Sequence, residues 1–196
     1  MVLIDCFDIS RLSDEVYTEL YQRASQDRKA RADRYLRHED KVRCICAEAL
    51  LRNALQSTDY TISYCENGKP YLTNAEDFHF NISHSGRWVV LAYGRSPVGV
   101  DVQEFRSRDL EGIACRFFTA DEQAYVHTNP NGFFRVWTGK ESYIKYLGTG
   151  LKTPLNSFSV LEDLGVNLFT VMLEDACLSL CTQERSYSVN ILQELQ

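Results

Sequence analysis

The chain has 196 residues, with 21 Lys and Arg against 27 Asp and Glu, a formal net charge of −6 and 44% hydrophobic residues. This length suits one globular domain or two small halves that share a core, and the ordinary composition excludes a disordered or collagen-like chain. The longest apolar run, Trp88 to Tyr93, is far short of the roughly 20 residues that a membrane span needs, and general nucleic-acid binding is disfavoured for so acidic a chain.

The N-terminal segment predicts a strand over residues 2–7 and does not resemble a leader peptide. Asp5 and Asp8 interrupt its apolar stretch, and no basic residue precedes it. The chain has seven cysteines, an odd number without the CxxC pairs of a structural zinc site. We therefore expect a cytoplasmic protein whose cysteines are reduced and mostly buried.

Three helices are predicted after this strand. Ser13 is suited to cap the first, in which apolar residues recur every four positions. The second is expected at about residues 27–36 and the third at about residues 39–55. The segment from Arg23 to Arg43 has eight basic and four acidic residues, which gives a local charge of +4. Such a patch is typical of a solvated helix face and is equally compatible with a site for one small polyanion.

The centre of the chain predicts strands separated by turns. Asn67-Gly68-Lys69-Pro70 indicates a turn, because Asn-Gly tolerates positive φ and proline cannot donate to a strand ladder. Alternating apolar residues predict a strand near residues 78–82, followed by the polar segment Ser83-His84-Ser85-Gly86. We expect this segment to be a turn whose hydroxyls, imidazole and free backbone N–H groups suit an anion, although a lone histidine at a strand end is more often structural. Further strands are predicted at residues 88–93 and 98–102.

Asp101 and Gln103 are the first candidates for a metal or catalytic site. In a strand they point to the same face, opposite Val100 and Val102. A carboxylate in so apolar a strand is costly unless it lies near solvent at an edge or holds a cation. The sequence leaves both explanations open.

A second candidate pair lies on the long amphipathic helix predicted from Asn131 to Leu147, with Gly148 as its C-terminal cap. Its apolar stripe is expected to contain Phe133, Trp137, Ile144 and Leu147. Glu141 and Lys145 are four residues apart and therefore share a helix face. They form either a surface ion pair, or a carboxylate that binds metal or takes a proton beside an ammonium that meets a phosphate.

The remaining patterns complete an α+β prediction. Thr119 and Glu122 predict a capping box at the start of a short helix, and strands are expected around Phe158, Phe169 and Val189. The chain contains no GxGxxG, GxSxG or HExxH motif, which disfavours dinucleotide oxidoreductases, α/β-hydrolases and zinc proteases.

Taken in order, the motifs of the chain resemble those of 4′-phosphopantetheinyl transferases of the larger, Sfp-like type. The matching segments are Asn67-Gly68-Lys69-Pro70, residues 80–85, Gly99-Val100-Asp101, residues 118–122 and the WxxKE helix from Trp137 through Lys145, with Ser142 in place of the family's alanine. The resemblance implies two similar α/β halves related by a pseudo-twofold, with the active site between them. We place the boundary near Ser96-Pro97, which gives halves of residues 1–97 and 98–196.

The resemblance also implies a function. Such an enzyme transfers the 4′-phosphopantetheine arm of coenzyme A to a serine of an acyl or peptidyl carrier protein and releases 3′,5′-ADP, with Mg²⁺ or Mn²⁺ as cofactor. The implied catalytic residues are Asp101, Glu141, Lys145 and His84, and the implied metal ligands are Asp101, Gln103 and Glu141. Coenzyme A is expected to contact Arg28, Arg31, Lys69, Pro70, Tyr71, Ser83, His84 and Lys145. A cytoplasmic monomer that serves fatty-acid, polyketide or nonribosomal peptide synthesis, with no nucleic-acid or membrane partner, is implied as well.

The chain departs from the family pattern at Gln103. The family usually has an acid at this position, so the site loses one negative charge, although the Gln carbonyl oxygen can still bind a cation. We expect activity to be retained with altered metal affinity. Two alternatives stay open: a non-catalytic regulator that binds coenzyme A or a nucleotide, and a Mg²⁺-dependent phosphodiesterase that uses Asp101 and Glu141.

Overall fold

The computed structural model of the protein describes residues 1–106 and 109–195. These residues form a mixed structure, which confirms the α+β prediction. The helices are α1 (Asp14–Arg23), α2 (Gln26–Asp33), α3 (His38–Leu55), α4 (Leu110–Phe117), α5 (Ala120–Thr128) and α6 (Gly132–Leu147). The strands are β1 (Val2–Asp8), β2 (Ile62–Tyr64), β3 (Pro70–Leu72), β4 (His79–Ser85), β5 (Trp88–Gly94), β6 (Val98–Glu104), β7 (Asn167–Met172), β8 (Ala176–Thr182) and β9 (Tyr187–Leu192).

Two sheets pack face to face between helices. The first has the order β4-β5-β1-β9 and the second the order β6-β8-β7, while β2 and β3 form a separate hairpin. Alternate residues of β1, β5, β6 and β8 form one apolar core between the sheets. The other face of the first sheet packs against α3, and α6 packs against β6 and β8 of the second.

The predicted boundary between the halves remains a prediction. The first sheet contains β9, which comes from the predicted second half and pairs in parallel with β1. Residues 107, 108 and 196 of that half lie outside the described residues. Within the described ranges, no helix combines the length and the apolar character that crossing a membrane requires.

The helix caps and most strands agree with the sequence. Ser13 accepts a hydrogen bond from the backbone N–H of Val16, and Gly148 ends α6 in the left-handed conformation. All seven cysteines are free and five are buried, the exposed ones being Cys65 and Cys115.

Two predictions about the C-terminal half are wrong, and one strand was not predicted. The strand expected around Phe158 is wrong, because a short 3₁₀ turn (Leu155–Ser157) precedes this residue. Strand β8, the central strand of the second sheet, was not predicted. It is buried on both faces, so apolar and polar residues do not alternate along it. Leu147 was expected in the buried stripe of α6 but is 42% exposed, since it lies in the last turn of the helix.

The segment from Ser83 to Ser85 is part of β4 and not a turn. Its residues pair with β5 as far as the Ser85–Trp88 pair, so backbone N–H groups expected to bind an anion lie in the sheet. The turn follows at Gly86 and Arg87. The hydroxyl groups of Ser83 and Ser85 nevertheless contact the second sheet.

The edge strands of the two sheets, β4 and β6, meet through side chains. Alternate residues of β4 each accept a hydrogen bond from a backbone N–H group of β6: Asn81 from Val100 (2.8 Å), Ser83 from Val102 (3.3 Å) and Ser85 from Glu104 (3.1 Å). These bonds replace the ladder that a neighbouring strand would provide, and they satisfy buried donors that would otherwise be costly.

Gly99 allows α6 to lie directly against β6. A Cβ atom at this position would come within 2.1 Å of the Ser142 carbonyl oxygen and 2.3 Å of the Tyr146 backbone nitrogen. Both neighbours are backbone atoms of one helix, so they cannot rotate away as a side chain could. The glycine therefore sets the distance between the strand that carries Asp101 and the helix that carries Glu141.

We predict that Gly99→Ala lowers the free energy of unfolding by about 1–3 kcal/mol or more, because α6 must move away from β6. Denaturant unfolding measures the change. The matched control is Gly139→Ala in α6, where the added Cβ meets only side-chain carbons, the nearest at 3.3 Å. The control is expected to change stability by less than about 1 kcal/mol, and equal stability of the two variants would contradict the prediction.

Candidate active site

Asp101 and Lys145 form an ion pair at the contact between β6 and α6. The Lys145 Nζ atom lies 2.6 Å from Asp101 Oδ1 and also donates to Ser83 Oγ at 3.0 Å. Ser83 Oγ in turn lies 2.8 Å from the same Asp101 oxygen. Asp101 is buried and paired with Lys145, so the explanation as an edge residue near solvent is wrong, while its role as a metal ligand stays a prediction.

Glu141 lies beside this pair without joining it. The pKa of Glu141 is raised, first because protein surrounds the carboxyl group and excludes water, and then because the Asp101 charge is close, while Lys145 opposes the shift. The surface ion pair between Glu141 and Lys145 is not formed, because the lysine bonds to Asp101 instead. The two neighbouring carboxylates carry more negative charge than the single ammonium offsets, so the cluster favours a further cation.

The oxygen donors of this cluster fit a hard divalent cation. Among the described residues, both hydrogen bonds to the Asp101 carboxylate fall on Oδ1, which leaves Oδ2 available. Gln103 donates through Nε2 to the Glu104 carbonyl oxygen at 3.3 Å, so its own Oε1 atom is available too. In the part of the chain that the structure describes, no group of three or more His, Cys, Asp or Glu side chains could hold a metal. A cation here would therefore depend on two carboxylates, an amide oxygen and further oxygen donors, as Mg²⁺ prefers.

A cavity of about 220 Å³ opens between α2, α3, β4 and the β2–β3 hairpin. It brings together four of the predicted coenzyme A contacts, which are Arg28, Arg31, Pro70 and His84. The pKa of His84 is lowered, first because neighbouring protein excludes water from the ring and then because Arg43 and Lys145 are nearby cations. The positive charge of the cavity suits an anionic ligand.

The other predicted coenzyme A contacts do not line this cavity. Tyr71 lies between the cavity-lining Pro70 and the buried Leu72 in a strand, and its side chain is 44% exposed. Ser83 alternates with His84 along β4 and therefore faces Asp101 instead. Lys69 donates to the carbonyl oxygens of Val98 and Tyr146, at 3.0 Å each.

Glu48 does not line the cavity, but it supports Arg28, which does, and the sequence pattern did not predict this role. Its buried carboxylate lies 3.3 Å from Arg28 Nε and accepts two hydrogen bonds from Ser25, each of 2.9 Å. Glu48 thereby holds Arg28 at the cavity. The available signal was an acidic residue within the otherwise apolar run from Cys44 to Leu51.

Glu122 and Lys140 anchor α6 from the side opposite the site. The capping box of Thr119 and Glu122 is confirmed. Glu122 additionally forms a fully buried ion pair with Lys140 at 2.7 Å, and Lys140 donates to the Leu155 carbonyl oxygen at 2.7 Å. The ion pair fixes the residue next to Glu141, so the lysine and glutamate of the WxxKE motif have different tasks.

Comparisons with known proteins identify a family that the chain resembles over most of its length. Residues 97–192 match the family model of the 4′-phosphopantetheinyl transferase superfamily, and residues 12–95 match that of the 4′-phosphopantetheinyl transferase N-terminal region. The chain is 36% identical over 160 residues to 4′-phosphopantetheinyl transferase Sfp of Bacillus subtilis, covering 76% of this chain and 71% of that protein. It is 38% identical over 146 residues to 4′-phosphopantetheinyl transferase psf-1 of Bacillus pumilus (69% and 62% covered). It is 32% identical over 174 residues to 4′-phosphopantetheinyl transferase HetI of Nostoc (74% and 73% covered).

The raised pKa of Glu141 predicts a measurable effect on stability. The folded protein holds a proton on this carboxyl more tightly than the unfolded chain does, so ionisation destabilises the fold as the pH rises above the ordinary glutamate value of 4.5. We predict that Glu141→Gln is more stable than the wild type at pH 7 and that the advantage disappears below about pH 4. Denaturant unfolding across this pH range tests it.

The matched control is Glu162→Gln, which removes an exposed carboxyl group elsewhere. We expect it to unfold like the wild type at pH 7, within about 0.5 kcal/mol. A Glu141→Gln variant that is less stable than the wild type at neutral pH would contradict the prediction.

Proposed function

The chain belongs to the 4′-phosphopantetheinyl transferase superfamily, and we propose how its residues perform the transfer of phosphopantetheine from coenzyme A to a carrier protein. The observation that carries the proposal is the pair of neighbouring carboxylates, Asp101 and Glu141, of which the first is paired with Lys145, beside a cationic cavity. Membership of the family identifies the reaction, and the arrangement of these residues supports the role that we propose for each of them.

In the proposed reaction, the hydroxyl oxygen of a carrier serine forms a bond to the β-phosphorus of coenzyme A. The bond between that phosphorus and the bridging oxygen breaks, and 3′,5′-ADP leaves with the electron pair. The serine proton passes to a base. Phosphoryl-type transfer of this kind depends mainly on positioning and on neutralising negative charge.

The carboxylate cluster supplies the base and the cation site. Asp101, Glu141 and the amide oxygen of Gln103 would hold Mg²⁺ or Mn²⁺, and the bound ion would neutralise charge on the pyrophosphate. Glu141 accepts the serine proton, a role that its raised pKa favours. Lys145 is close enough to Asp101 to donate to a phosphate held at the same site, where it stabilises the leaving group.

The cavity supplies the nucleotide site. Arg28, Arg31 and His84 bind the nucleotide phosphates, and adenine packs near Pro70. Ser83 contributes indirectly because its hydroxyl fixes the Asp101 carboxylate. We further propose an acyl or peptidyl carrier protein as acceptor and a monomeric enzyme.

Intact mass of an apo carrier protein, incubated with this enzyme, coenzyme A and Mg²⁺, tests the proposal. We predict a gain of one phosphopantetheine arm that EDTA abolishes. Asp101→Asn and Glu141→Gln should each lower the rate at least about 100-fold, because each removes charge at the reacting phosphate. The control Glu162→Gln should keep the wild-type rate. A folded Asp101→Asn or Glu141→Gln variant with near-wild-type transfer would refute the assignment.

Gln103 gives a separate prediction about the cation. Gln103→Glu adds a third carboxylate to the cluster, and we expect it to tighten Mg²⁺ binding about tenfold. Calorimetric titration measures the affinity without turnover. The control Gln22→Glu adds the same charge at an exposed position of α1. If Gln103→Glu and the control bind Mg²⁺ equally well, Gln103 does not contact the ion.

A further inference from the structure

Lys69 connects the two elements that carry the proposed catalytic residues. It precedes β3, and its Nζ atom donates to the carbonyl oxygens of Val98 and Tyr146 at 3.0 Å each. Val98 is the first residue of β6, three positions before Asp101. Tyr146 lies in the last turn of α6, directly after Lys145. One ammonium group therefore spans the strand and the helix of the site.

Both carbonyl groups lack a partner within their own element. The Tyr146 oxygen is among the last four of α6, which have no N–H group further along the helix to bond with. The Val98 oxygen lies on β6, whose outer edge faces side chains instead of another strand. A cation at a helix C-terminus is also favoured by the helix dipole. The contact thus satisfies two acceptors and places a positive charge where it is stabilised.

The surrounding backbone leaves room for this contact. Gly148 ends α6 with φ +69°, and a Cβ atom there would lie 3.1 Å from Lys69 Cδ. Gly99 permits the close approach of α6 to β6 that brings the two carbonyl groups within reach of one ammonium. The resemblance to the transferase family implied that Lys69 binds coenzyme A, but Lys69 is not among the residues that line the cavity of Arg28, Arg31 and His84.

We propose that Lys69 is a positioning residue, which clamps the strand carrying Asp101 to the helix carrying Glu141 and Lys145, and does not bind the nucleotide through its ammonium. The proposal rests on the proposed function, since it assigns Lys69 a role in aligning those three residues. Misplacement of a catalytic group by about 1 Å can cost a factor of about 100 in rate.

The charge of Lys69 is sensitive to pH. The titratable groups that act on its ammonium are Cys65 before the turn and Cys181 of β8. Burial lowers the pKa of Lys69 to about 8, whereas burial raises the pKa of Cys181 to about 12. Lys69 is therefore fully protonated well below pH 8 and loses its proton above it. Its contact with the two carbonyl groups weakens in alkaline solution as a result.

The test compares Lys69→Met with Lys152→Met, a variant of an exposed lysine. Calorimetry gives the Kd of coenzyme A, and transfer assays at saturating coenzyme A and Mg²⁺ give kcat. We expect Lys69→Met to lower kcat by about 10-fold to 100-fold while the Kd changes less than about twofold. A Kd weakened more than about tenfold with unchanged kcat would show that Lys69 is a nucleotide ligand and would overturn the proposal.

A second comparison does not depend on the stability of Lys69→Met. Lys69→Arg keeps its charge at high pH, so the ratio of its kcat to that of the wild type should rise severalfold between pH 7 and pH 9.5, with no matching change in the ratio of the Kd values. A constant kcat ratio would overturn the clamp. Absence of transfer by the wild type to any carrier would instead refute the proposed function, so the two failures are distinguishable.

Discussion

The outer edge of β6 is the constraint on which the rest of the structure depends. No strand pairs with this edge in the described structure, so its polar groups must be satisfied in another way. Side chains bind both its N–H groups and its carbonyl groups. Asn81, Ser83 and Ser85 accept hydrogen bonds from the N–H groups. Lys69 and Lys145 donate hydrogen bonds to the carbonyl groups. The contact joins the two sheets and at the same time gathers polar residues around Asp101.

Strand alternation couples the proposed binding site to the proposed reaction centre. His84 points from β4 into the cavity, and its neighbour Ser83 points to the other face and bonds to Asp101. The motif around residues 80–85 serves both sites because its two faces are used for different purposes.

Two faces of helix α6 likewise have different roles. Lys140 faces inward to its buried partner Glu122, while Glu141 and Lys145 face β6. The inner pair is dry and fully satisfied by hydrogen bonds, so it anchors the helix rigidly. In the outer cluster, burial first and then the nearby Asp101 charge raise the pKa of Glu141, so its ionised form is unfavourable in the folded chain alone. The face of α6 with Lys140 thus stabilises the helix, whereas the face with Glu141 and Lys145 is arranged to bind a ligand at some cost in stability.

The sequence alone determined the α+β class, most helices and strands, their caps and the identity of the motif residues, because these follow from local periodicity, turn chemistry and residue type. It left open whether Asp101 is buried, since the burial of an edge strand depends on what packs against it. Tertiary structure alone decided the hydrogen-bond partners of Lys69, Lys145 and Glu48. It also decided the position of β8 between β6 and β7 in the second sheet. Each depends on a contact between segments that are far apart in the chain. The residue pattern of one segment does not indicate which carbonyl or carboxylate group of another segment it will contact in the fold.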